Sequence, residues 1–192
     1  MTLKLTHKRF FDFFLALILI VIFIIPAFFI WVAVRSTSKG PAIYWSDRIG
    51  KDNMIFKMPK FRTMMQNTPP IATHLLINPK SYLTSIGSFL RRNSLDEIPQ
   101  LLCILSGKMT FVGPRPALFN QKDLIKMRSN VGLNKLRPGL TGWAQVNGRD
   151  ELDLREKVQL EVAYMKRQSF LFDLKILWMT ITRVIKKHGV SH

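Results

Sequence analysis

"FFLALILIVIFIIPAFFIWVAV", residues 13–34, runs for 22 residues without a charge. At about 1.5 Å per residue, a straight helix of this stretch spans roughly 33 Å, enough for a hydrocarbon core of about 30 Å. The stretch reads as a membrane element. It is longer than the apolar core of an ordinary signal peptide, and no small-x-small cleavage site follows it. Both flanks are basic: Lys4, Lys8 and Arg9 precede it, and Arg35, Lys39 and Arg48 follow. The positive-inside rule is met best when both ends stay on the cytoplasmic side. Pro26 lies past the middle and removes a helical hydrogen bond, which favours a kink. A bent helix that enters one leaflet and returns fits these features. A single-pass helix with a tolerated proline fits them too.

The remainder of the 192 residues suffices for one domain with its own core. A net charge of +17 calls for an anionic partner: nucleic acid, an anionic membrane or a phosphorylated substrate. Cys103 is the one cysteine, so there is no disulfide framework and no cysteine metal cluster. His7, His74, His188 and His192 have no metal-binding spacing.

Residues 42–64 predict two short strands around a Gly-Lys-Asp-Asn turn. Residues 66–80 carry Pro69, Pro70 and Pro79 and read as a loop. Helices are expected over 83–92, from Asp96 to before Gly107, over 117–128 and over 151–168. "KMTFV" is a short strand, and 132–149 a glycine-rich stretch with little regular structure. Residues 170–187 place Phe170, Leu174, Leu177, Trp178, Ile181 and Ile185 on one face. That face suits a membrane interface, or equally a domain core. The fold class is α+β: a membrane helix over residues 1–40, then a small, mostly helical catalytic domain over 41–192, with short strands and interfacial amphipathic helices.

Six of the ten glycines lie between Gly107 and Gly148, a stretch that includes "GPRP" (113–116), "RPGLTGW" (137–143) and "NGR" (147–149). Glycine lets backbone approach a ligand, and arginine offers a planar fork to phosphate oxygens. Three such loops suggest a diphosphate site, although each alone is an ordinary turn signal. No Walker loop and no Gly-x-Gly-x-x-Gly run is present.

In "RRNSLDEIPQLL", residues 91–102, Asp96 and Glu97 are the only acids between Asn53 and Lys122, a window with nine Lys or Arg. One reading is helix capping by Ser94 and Glu97, or by a cap nearer Asp96 that suits Pro99 better. The other is chemical. A carboxylate kept ionised among arginines can attack phosphorus, or bind Mg²⁺ that bridges a diphosphate.

"KFRTM", "RRNSLDEIPQL", "GKMTFVGPRP", "RPGLTGWAQVNGR" and "DLKILWMTI" follow the apolar helix in this order. Together they resemble the bacterial sugar transferase family, the monotopic polyprenyl-phosphate phosphoglycosyl transferases, over nearly the whole chain. The length resembles the form with only a catalytic domain. The resemblance implies transfer of a sugar-1-phosphate from a UDP-sugar to undecaprenyl phosphate, with Mg²⁺, at the cytoplasmic face of the inner membrane. It implies Asp96 as nucleophile and Glu97 as its metal-binding acidic partner. It also implies Lys60, Arg91, Arg115 and Arg149 as phosphate-binding or otherwise essential bases, and Pro26 as the break of a re-entrant helix. Two positions depart from the family pattern: Ile25 stands where serine is common, and Pro59 where an aromatic is expected. A membrane-tethered basic adaptor for anionic lipid or nucleic acid is the rival of another class; with the transferase reading, no nucleic acid is expected. The identity of the sugar, the pathway and the oligomeric state are not legible.

Overall fold

The polypeptide starts as one helix, α1 (Thr2–Thr37), whose 36 residues contain the whole apolar stretch and continue through Pro26. The computed structural model describes residues 2–69, 71, 76–148 and 152–186. A helix that is apolar on every side has no pattern to say which face meets protein. The fold supplies one. Lys8, Asp12, Ala16, Leu19, Ala27 and Val34 form a less exposed stripe at helical spacing, with Ala16 and Val34 fully buried. The opposite side, including Phe14, Ile18, Ile25 and Phe29, stays exposed.

Both ends of α1 are tied to the same domain. Near its start, Lys8 Nζ donates to the Val112 carbonyl at 2.9 Å and pairs with Asp173. Arg9 donates to the carbonyls of Ile104 and Leu105. Asp12 accepts from Thr110 Oγ1 at 2.6 Å and from the Phe111 amide at 3.2 Å. Near its end, Val34 packs with Phe61 and Leu90, and Arg62 donates to Ser38 Oγ at 2.8 Å.

Strands β1 (Ile43–Ile49) and β2 (Ile55–Phe61) form the expected antiparallel hairpin, from Ile43 opposite Phe61 to Ile49 opposite Ile55. Asp52 and Asn53 take the left-handed backbone conformation that reverses the chain. Pro59 sits opposite Trp45 within the ladder; a two-stranded sheet has outer edges where a residue without N–H is accommodated.

Helix α2 (Gly87–Arg92) starts four residues later than the apolar spacing predicts. Leu83 is engaged instead in a β-bridge to Met64, and the chain then turns under the Thr63 carbonyl. A Cβ on Gly87 would lie 2.1 Å from that oxygen, so the turn needs glycine. The next segment is a 3-10 turn, Leu95–Gln100, followed by α3 (Leu101–Leu105). This corrects the capping reading: Ser94 has left-handed backbone and its side chain caps nothing. It also explains Pro99. The α-helix begins only after it, so no α-helical hydrogen bond is lost.

Strand β3 (Thr110–Val112) runs parallel to β4 (Gly139–Thr141), a strand the glycine-rich composition concealed. The glycines here bring backbone to backbone. A Cβ on Gly139 would lie 2.2 Å from the Gly113 nitrogen, and one on Gly142 2.1 Å from the Gly113 oxygen. Helix α4 (Lys122–Asn130) starts later than expected, after a turn in which Gln121 accepts from the Leu118 amide. Helix α5 (Leu154–Arg167) carries a complete capping box between Asp153 and Glu156.

Helix α6 (Phe170–Lys186) has both characters that its sequence allowed. Asp173 and Ile176 are buried, while Leu171, Leu174, Trp178 and Ile181 form an exposed apolar face. Leu177 turns toward the core rather than joining that face. The exposed sides of α1 and α6 thus supply the large apolar surface of the molecule.

Candidate active site

Strand β2 ends by presenting Lys60, and the 3-10 turn packed beside it presents Asp96 and Glu97. Lys60 Nζ donates to Glu97 Oε1 at 2.9 Å and lies 4.0 Å from Asp96 Oδ2. Arg115, from the loop after β3, donates to the same Glu97 oxygen at 3.0 Å. Arg91, at the end of α2, donates through Nε to Thr63 Oγ1 at 2.9 Å. All five side chains line one cavity of about 780 Å³. The structure therefore brings together Lys60, Arg91, Asp96, Glu97 and Arg115, which are separated in sequence. Arg149 lies outside the described residues. Pro26 is exposed on α1, and Arg137 is exposed and does not line the cavity.

Asp96 is 7% exposed, and this decides its electrostatics. Burial raises its carboxyl above the ordinary aspartate range, and Lys60 only partly opposes the shift. The nearby bases, Lys60 first and then Arg91 and Arg115, pull the other way, as the sequence led one to expect. Burial likewise lowers Lys60, against the pull of Glu97 and Asp96. The site is thus a partly desolvated group of charges rather than a solvated ion pair.

Arg48 is a member that sequence reasoning counted only as a flanking base. It sits on β1, lines the cavity, and donates to Ser46 Oγ at 3.0 Å and to the Pro116 carbonyl at 3.1 Å. Burial pulls its pKa down to about 10, with Arg115 adding to the shift and Glu97 opposing it. Arg128 and Glu161 also line the cavity, as a two-pronged ion pair with Nε–Oε2 at 2.8 Å. Arg128 donates as well to the Arg115 carbonyl at 2.9 Å, which fixes the loop that carries Arg115. The available signal was Glu161 itself, a carboxylate on the stripe of α5 that buries Val158 and Tyr164. Gln145 was also missed. Its Oε1 is buried at the cavity wall with no hydrogen-bond partner among the described residues.

The donor set suits magnesium. Mg²⁺ is usually held by one or two carboxylates together with substrate phosphates, and Asp96 and Glu97 are adjacent on one turn beside a roomy cavity lined by several bases. Among the described residues, no group of three or more His, Cys, Asp or Glu gathers at this site or any other, so the acidic pair offers two carboxylates at most. A cavity with a buried carboxylate, a second acid and several fixed bases can bind a diphosphate and position an attack on phosphorus.

Known proteins are similar to this one along almost the entire chain. Residues 3–187 match the family described as bacterial sugar transferase. The chain is 34% identical over 184 residues to the uncharacterized sugar transferase EpsL of Bacillus subtilis (strain 168), covering 96% of this chain and 90% of that protein. It is 36% identical over 198 residues to the exopolysaccharide production protein ExoY of Sinorhizobium fredii (strain NBRC 101917 / NGR234), covering 95% and 87%. It is 38% identical over 159 residues to the UDP-glucose:undecaprenyl-phosphate glucose-1-phosphate transferase of Escherichia coli (strain K12). That match covers 78% of this chain and 34% of the longer E. coli protein. With the match running from α1 through α6, this chain belongs to the bacterial sugar transferase family.

Proposed function

We propose that the protein transfers a sugar-1-phosphate from a UDP-sugar to undecaprenyl phosphate, releasing UMP. The observation that carries this reading is Asp96, a buried carboxylate in the wall of a cavity shared with Lys60, Arg91, Arg115 and Arg48. The name of the E. coli relative supports the same substrate classes. An adaptor for anionic surfaces would carry its bases outward, whereas these converge on one cavity.

Asp96 is the nucleophile. One carboxylate oxygen attacks the phosphorus that bears the sugar. The new O–P bond forms as the bond to the bridging oxygen breaks, and UMP leaves with that oxygen and its electron pair. An oxygen of undecaprenyl phosphate then attacks the same phosphorus, and the Asp96 carboxylate departs regenerated. Two displacements replace one, so the kinetics are ping-pong. Lys60, Arg91, Arg115 and Arg149 hold phosphate oxygens, the arginines through fork geometry. Glu97 and Asp96 would hold Mg²⁺, which when bound offsets negative charge on the diphosphate.

The chain sits on the membrane as a monotopic protein at the cytoplasmic face of the inner membrane, with both ends of α1 on one side. Residues 8 and 34 are roughly 39 Å apart along a straight helix, yet both are docked on one domain. A helix spanning the bilayer would carry one of these ends away from its partners. Pro26, inside the apolar stretch of α1, is the position at which a break within the leaflet would fall.

The test is purified protein with Mg²⁺, undecaprenyl phosphate and a panel of UDP-sugars. UMP release with one donor supports the reading. UDP release marks a glycosyltransferase that breaks the sugar–phosphate bond, and no nucleotide release from any donor marks an adaptor.

A further inference from the structure

A second cavity, of about 300 Å³, lies between α1, the 3-10 turn and α6. It shares three residues with the larger one: Glu97, Arg115 and Gln145. Elsewhere its walls are mostly apolar, with Leu19 and Phe23 from α1, Ile98 and Leu101 after the acidic pair, and Leu177 and Ile181 from α6. Thr141 and Thr180 also line it, but their hydroxyls satisfy each other at 2.7 Å, and Thr180 donates to the Ile176 carbonyl at 2.8 Å. Those wall hydroxyls therefore ask for no polar ligand. Arg92 and Arg183 add positive charge to the same enclosure.

We propose that this second cavity is the lipid acceptor's site, and that it takes the isoprenoid segment adjoining the acceptor phosphate. The inference rests on the transferase reading above and adds where the acceptor lies. Three observations select this occupant. The two helices that form the cavity are those whose outer faces are exposed and apolar, so an acyl or isoprenyl chain reaches it from the phase that both helices meet. The cavity combines apolar walls with arginines, which matches an apolar chain ending in a phosphate. It reaches Glu97 and Arg115, so a phosphate held at that end adjoins the acidic pair. A nucleotide-sugar, polar along its length, suits the larger, base-rich cavity. Donor and acceptor thus approach the acidic pair from separate chambers, and the narrow shared wall of Glu97, Arg115 and Gln145 is where they meet.

The experiment uses the full chain in detergent micelles and two substitutions that narrow the lipid chamber, Ile181→Trp and Val184→Trp. Both positions are at least two-fifths exposed, so a larger side chain need not disturb the core. The expected result is a rise of about an order of magnitude in KM for undecaprenyl phosphate, equivalent to about 1.4 kcal/mol of binding. UMP release in a single turnover without acceptor, which uses the other chamber, keeps its amplitude and rate. Unchanged acceptor KM in both folded variants overturns the lipid site and leaves the transferase reading standing. A benzophenone-bearing prenyl phosphate supplies a readout apart from turnover. Cross-links within residues 19–23 or 177–184 support the site, and cross-links confined to other segments overturn it. Labelling at these segments in a protein that releases no UMP from any UDP-sugar keeps the lipid site and sinks the transferase reading.

Discussion

Two clusters of buried charge share the wall of the large cavity, and they are built on opposite plans. Arg128 and Glu161 form a closed pair, one base to one acid, with two prongs meeting two oxygens. Around Asp96 and Glu97 stand, among the described residues, Lys60, Arg91, Arg115 and Arg48, with the Lys60–Asp96 separation a loose 4.0 Å. The closed pair is complete as it stands and also anchors the Arg115 carbonyl. The open cluster gathers its bases around the acidic pair at the wall of the cavity. The closed pair reads as structural, and the cluster around Asp96 is the one proposed to do chemistry.

The sharpest way to break this comparison is at Asp96. Asp96→Asn should abolish turnover, because the amide is no nucleophile. Intact-protein mass spectrometry with UDP-sugar and no acceptor should find an added sugar-phosphate in wild type and none in the variant. Normal turnover by Asp96→Asn would reduce the residue to a structural role. Next in size is the closed pair. Glu161→Gln leaves a buried guanidinium without its counter-charge and should lower stability by about 3–5 kcal/mol, read by denaturant unfolding in detergent. A shift under about 1 kcal/mol would mean that the pair is not what holds α4 to α5.

Smaller effects are expected from the bases of the open cluster. Arg115→Ala and Arg149→Ala should each lose about 1.5–3 kcal/mol of charge-assisted binding, roughly ten- to 150-fold in kcat/KM. Arg115→Lys should recover little, since a point charge does not reproduce the fork. Full activity in either alanine variant removes that residue from the site.

The smallest effect has the opposite sign. Burial raises Asp96, so the folded state favours its neutral form. Its contribution to stability is present below the unfolded-state pKa and lost as pH rises through the folded-state pKa. Ionised Asp96 therefore costs stability at neutral pH, and Asp96→Asn should melt slightly higher than wild type there, with the difference shrinking toward acid pH. The same shift places the acid limb of kcat/KM above the ordinary aspartate range. An acid limb at the ordinary value would mean that the bases outweigh burial.

The legible parts of this molecule are those where neighbouring residues in sequence contrast. The charge-free run gave α1, alternation gave the β1–β2 hairpin, and amphipathic spacing gave α5 and α6. The acidic pair stood out because its surroundings are basic. What stayed hidden depends on contacts between distant segments. Strand β4 is only three residues, with Thr141 its one β-branched member and Gly139 against the Gly113 backbone just after β3, so it offers little to advertise a strand. Arg48 looked like a membrane flank until β1 turned it into the cavity. The inner stripe of α1 was unreadable, because a helix apolar on all sides offers no period to detect. Asp96's raised carboxyl was also out of reach, since burial is a property of the fold and the nearby bases alone suggest the reverse.

The docking of Lys8 on Asp173 sets an order of events during synthesis. The two residues are 165 positions apart, and at about 5–20 residues per second the partner emerges from the ribosome on the order of ten to thirty seconds later. Over that interval Lys8, Arg9 and Asp12 have no folded domain to receive them. If they crossed the bilayer, their partners at Ile104, Leu105, Thr110 and Asp173 would form on the other side. In the proposed monotopic arrangement, the charged start of α1 waits on the side where translation proceeds until α6 supplies Asp173 to receive it.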